Sequence, residues 1–91
     1  MPLYVISYDL RKQRNYDSLL KTLRDAEAVR MLASLWLANL TGNAAQVRDA
    51  LRLHMDADDG LGLIELKAGS DWATYKVQPG ATEWLQRNVK P

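Results

Sequence analysis

Along residues 3–10, Tyr4, Ile6 and Tyr8 face one way while Leu3, Val5, Ser7 and Asp9 face the other, the period of two that marks a strand. Both faces carry apolar groups for most of its length. The period then changes: Tyr16, Leu19, Leu20, Leu23 and Ala26 recur at helical spacing, and Asn15 stands where a side chain can cap the first turn, which predicts a helix over residues 15–26. Residues 28–40 are strand-like again but too long for one ordinary strand of about 5 to 6 residues. They divide into two strands around Ala33 and Ser34, although no Gly, Pro or Asn marks the turn. Polar side chains at residues 41–43 can cap a second helix, whose apolar face holds Ala44, Val47, Ala50, Leu51, His54 and Met55. Residues 61–67 form a fourth strand by pattern and residues 72–77 a fifth, short one. Trp84, Leu85 and Val89 after Pro79 and Gly80 predict a short terminal helix over residues 81–89.

The order β-α-β-β-α-β predicts an α+β domain with the ferredoxin-like split βαβ plan, in which two right-handed crossovers put both helices on one face of an antiparallel sheet. Residues 1–68 make up that domain, and residues 69–91 are its C-terminal extension, read as a dimer-pairing strand and a short helix. With both helices on one face, the apolar residues pointing the other way need a cover. The economical one is a second copy packed sheet to sheet.

The chain has 91 residues, no cysteine and a net charge of +1, which removes disulfides and thiolate metal sites and gives no global basic signal for nucleic acid. No apolar run approaches the roughly 20 residues that cross a bilayer. The expectation is a cytoplasmic protein with no membrane contact. Charge is unevenly placed: residues 1–30 hold six basic and four acidic side chains, whereas residues 49–71 hold two and six.

Asp9 ends the first strand after Tyr8 and is followed by Arg11, Lys12 and Arg14. The bland reading is an Asp starting a turn with a solvated basic loop. The functional reading is that a two-fold axis brings two Asp9 carboxylates together as a weak Mg²⁺ site beside phosphate-holding cations. Asp56, Asp58, Asp59 and Gly60 do not make an EF-hand, since the glycine falls at loop position five instead of six and no Glu stands at twelve. His54 reads as a packed residue, and Trp36, Trp72 and Trp84 as core or interface residues.

These residues resemble the CRISPR-associated protein 2 family, with virulence-associated protein D toxins as more distant relatives. The resemblance covers about residues 3–67: a hydrophobic strand ending in Tyr8 and Asp9, basic residues and a helix, then Arg30, Ser34, Trp36 and Thr41 at family-motif places. Leu32, Trp36, Leu37 and Ala38 depart from the family's usual Gln, Phe, Glu and Gly. The resemblance implies a homodimer of ferredoxin-like subunits in antiviral defence. Its role would be either a Mg²⁺-dependent endonuclease with Asp9 as catalytic residue and metal ligand, or a non-catalytic adaptor that holds nucleic acid for an integrase. Arg11, Lys12 and Arg14 are the expected phosphate contacts.

Overall fold

The computed structural model describes residues 2–12 and 15–91. Its elements run β1 (Leu3–Asp9), α1 (Asp17–Asp25), β2 (Val29–Leu32), β3 (Leu35–Asn39), α2 (Ala44–Arg52), β4 (Gly60–Leu66) and α3 (Ala81–Asn88). The four strands lie in the order β2-β3-β1-β4, every neighbouring pair antiparallel, which is the predicted ferredoxin-like α+β arrangement. Among the described residues no helix is long and apolar enough to cross a membrane.

Strand periodicity sorts the core into two layers. Tyr4, Ile6 and Tyr8 of β1 join Trp36 and Ala38 of β3 beneath Leu19 and Leu23 of α1 and Val47 and Leu51 of α2. Asn43 caps α2 with a reciprocal capping box: its side chain accepts from Gln46 N while Gln46 Oε1 accepts from Asn43 N. Just before it, Gly42 adopts φ 108°, a conformation that L side chains resist, and its carbonyl accepts the Tyr4 hydroxyl at 2.6 Å.

The turn between β2 and β3 falls where expected, at Ala33 and Ser34, and its chemistry is supplied by Arg30. The Arg30 guanidinium donates through Nε and Nη2 to the Ala33 carbonyl at 3.0 and 2.6 Å and lies 5.4 Å from the Trp36 ring centroid. A side chain thus satisfies a turn acceptor that no special backbone residue marks.

On the opposite sheet face the expectation needs correction. Residues 72–77 form no strand; the chain there runs irregularly, with Lys76 at φ 53° breaking any extended path. It carries α3 back over the sheet, where Ala81, Trp84, Leu85 and Val89 bury against Leu37 and are flanked by Leu3, Val5, Val29, Met31, Leu35, Leu66, Trp72 and Val77. Backbone bonds from Gly69 N to Val89 O and from Gln78 N to Met31 O hold this tail in place, as does the Trp72 indole donating to Lys90 O. The cover expected from a second copy is therefore supplied by the chain's own tail over β2, β3 and the first half of β1. Towards β4 the face stays open, and Ile64 is 70% exposed.

Candidate functional site

In a split βαβ sheet the end of β1 lies beside the start of β4, and here Asp9 pairs with Gly60. Whatever follows β1 must meet whatever precedes β4. The first is basic, the second acidic, and the two loops lock together.

Arg11 is the hub. Its Nε donates to Asp9 Oδ2 at 3.2 Å, its Nη1 to the Asp58 carbonyl at 2.7 Å, and its backbone N–H to Asp59 Oδ1 at 2.8 Å. A Cβ added at Gly60 would stand 3.1 Å from Arg11 Nη2, so the glycine leaves room for the guanidinium to cross the strand end. Lys12 Nζ pairs with Asp58 Oδ2 at 2.8 Å. Asp59 also accepts the Tyr16 hydroxyl at 2.7 Å through Oδ2 and the backbone N–H of Asp56 at 2.8 Å. Partial burial and the hydrogen bond to Asp59 together raise the Tyr16 pKa above its ordinary 10.0.

The predicted residues are thus only partly brought together. Asp9, Arg11 and Lys12 share one site; Arg14 lies outside the described residues. Tyr8 is buried, and its hydroxyl oxygen accepts Trp36 Nε1–H at 2.9 Å, so both belong to the core. Arg30 closes the β2–β3 turn, and the exposed Ser34 contributes its carbonyl to Tyr8 N at 3.1 Å. His54 is half-buried, its Nε2 3.3 Å from Thr22 Oγ1, in keeping with a packed residue.

The Asp9 side chain is 72% exposed and accessible to a cation, yet one of its oxygens is already held by a guanidinium. Among the described residues no three His, Asp or Glu side chains converge as a metal site. The expected Mg²⁺ site needs two Asp9 carboxylates across a two-fold axis; each chain supplies one of them, ion-paired to Arg11. Asp56, Asp58 and Asp59, expected only as an acidic run that makes no EF-hand, and Tyr16, expected only on a helix face, also belong to the site. Their signal was present as an acidic run opposite a basic one across neighbouring strand ends.

The fold and this loop pair define a ferredoxin-like α+β domain whose charged loops are joined to each other. No protein-family model matches the chain, and no solved structure matches it.

Proposed function

We propose that the chain is a non-catalytic interaction module that acts as a homodimer, the scaffold role among those its resemblance to CRISPR-associated protein 2 implies. The observation that carries this reading is the engagement of Arg11 and Lys12. Cations that would grip phosphates instead bind Asp9, the Asp58 carboxylate and the Asp58 carbonyl, within hydrogen-bond distance. Nucleic acid would have to compete with carboxylates that already neutralise part of the charge of both side chains. A second reading, the Mg²⁺-dependent endonuclease, draws support from the exposure of Asp9 beside two basic residues.

The two readings part in one assay. Labelled single- and double-stranded DNA and RNA are incubated with the protein in Mg²⁺, Mn²⁺ or EDTA, alongside Asp9→Asn prepared identically. The module reading expects no cleavage that responds to metal or to the substitution. Cleavage abolished by both EDTA and Asp9→Asn would overturn it in favour of the nuclease. Nucleic-acid affinity and its salt slope should likewise be unchanged by the Arg11→Ala, Lys12→Ala double substitution.

A further inference from the structure

The two edges of the sheet are unlike. β2 has four residues, an irregular register between Arg30 and Leu32, and a backbone bond from the tail at Met31 O. β4 has seven residues, no proline and no bulge. The parity of its hydrogen bonds follows from β1. Tyr8 N bonds to Ser34 O and Leu40 N to Pro2 O, so even positions of β1 face β3 and odd positions face β4. Gly60, Gly62, Ile64 and Leu66, paired with those odd positions, bond inward. Leu61, Leu63 and Glu65 therefore aim their N–H and C=O groups outward, and among the described residues no backbone bond outside the sheet reaches them. A long, flat, unpaired edge is a template for another strand.

We propose that this edge is the interface of the homodimer: β4 of one copy pairs antiparallel with β4 of a second, joining two sheets into one of eight strands about a two-fold axis at Leu63. The inference rests on the dimeric reading above and names its contact surface. Self-complementarity chooses the register. With Leu63 opposite its own copy, all seven residues of each strand are paired, and Ile64 lies across from Gly62 of the other chain. Ile64 is the exposed knob of the outer face, and a side chain at Gly62 would meet nothing within 4 Å, so the knob has an empty place to fill. Shifting the register by one pair one way sets Glu65 against Asp59, charges of like sign; shifting it the other way sets Ile64 against its own copy and Gly62 against Leu66, so the knob loses its empty place. In the chosen register Lys67 of one chain faces Asp59 of the other.

The inner side agrees. A cleft of about 590 Å³ runs beside the same strand, lined by Arg52, Met55, Asp56, Asp59 and Leu61. Glu65 of the second copy stands opposite Leu61, on the side of Arg52, while Lys67 approaches the aspartates. Within one chain Lys67 Nζ already pairs with Glu65 Oε2 at 3.1 Å, and across the proposed interface each gains a neighbour of opposite sign.

This geometry has a consequence for the loops. Two Asp9 residues on the outer neighbours of paired β4 strands lie about 25 Å apart, from a strand spacing of about 4.8 Å and a rise of about 3.4 Å per residue. They cannot share one cation.

Sedimentation equilibrium of wild type and two edge variants is the primary test. Glu65→Pro removes one outward N–H while leaving the bonds to β1, and proline is tolerated at a free edge. Ile64→Lys puts a charge over Gly62 without touching the backbone. Each is expected to weaken dimerisation by about tenfold or more, with an unchanged far-ultraviolet circular dichroism spectrum. Register is read by oxidation in a chain that has no other cysteine. Leu63→Cys should cross-link to its copy, while Glu65→Cys, about 14 Å from its own equivalent, should not. A dimer that persists in both edge variants overturns the β4 interface but leaves the dimeric reading standing. A wild-type monomer at hundreds of micromolar overturns both.

Discussion

Replacing Trp84 by Ala tests whether α3 belongs to its own sheet. Trp84 is 4% exposed, in contact with the layer that holds Leu37 and Leu85. Its indole buries on the order of 200 Å² of largely apolar surface, which at about 25 cal/mol per Å² is worth about 5 kcal/mol before relaxation. Large-to-small changes of this kind cost about 3–5 kcal/mol. A domain of this size has a total stability of only about 5–14 kcal/mol, so the variant should retain a minor share of it. The assay is urea unfolding followed by circular dichroism at several protein concentrations. With m of about 1–3 kcal/mol per molar, the midpoint should fall by more than a molar. The shift should be the same at every concentration, because the packing is within one chain. Half-buried Trp72 gives the control, and Trp72→Ala should cost clearly less. A loss under about 1 kcal/mol for Trp84→Ala, far below the cost of emptying a packed site, would refute the packing. A shift that grows with dilution would place Trp84 in an interface between copies.

Asp59→Ala removes the acceptor shared by Arg11 N, Tyr16 Oη and Asp56 N; unfolding should show a loss of about 1–2 kcal/mol after allowing for solvent access. Because the folded-state pKa of Tyr16 is raised, the unfolded chain gives up this proton first, and stability should fall as pH rises above about 10. Thermal unfolding between neutral and alkaline pH measures that slope, which should flatten in Tyr16→Phe. Tyr8→Phe leaves the buried Trp36 indole N–H without its acceptor and should cost about 1–3 kcal/mol in the same urea assay; no change would mean that another acceptor reaches it.

Most of the sheet and both crossover helices could be read from periodicity, because one buried face imposes a period of two on strands and near four on helices. The β2–β3 turn could be placed from strand length alone. Its cause was hidden, since Arg30 reaches Ala33 O through a side chain and leaves no turn residue in the sequence. The tail was misread for a reason of the same kind. Residues 72–77 have strand-like composition, but a strand needs an edge, and β2 offers the tail a single bond, Gln78 N to Met31 O. What the segment supplies is reach, carrying α3 to the apolar face. Of the candidate site, Asp9, Arg11 and Lys12 were found by their adjacency. Their partners Asp58 and Asp59 lie nearly fifty residues away, and only the strand order makes them neighbours.

That strand order also separates the possible chemistries. A shared metal needs two Asp9 carboxylates on one axis, hence two outer sheet faces meeting near the end of β1. α3 already occupies much of that face, and Arg11 already occupies one oxygen of Asp9. The open surface lies instead along β4, where Ile64 is exposed and, among the described residues, no backbone bond outside the sheet reaches Leu61, Leu63 or Glu65. Joining two chains there extends the sheet and keeps both charged loop pairs intact at its opposite ends. In the proposed β4-paired dimer the two loop sites would stand about 25 Å apart, too far for two Asp9 carboxylates to share one cation.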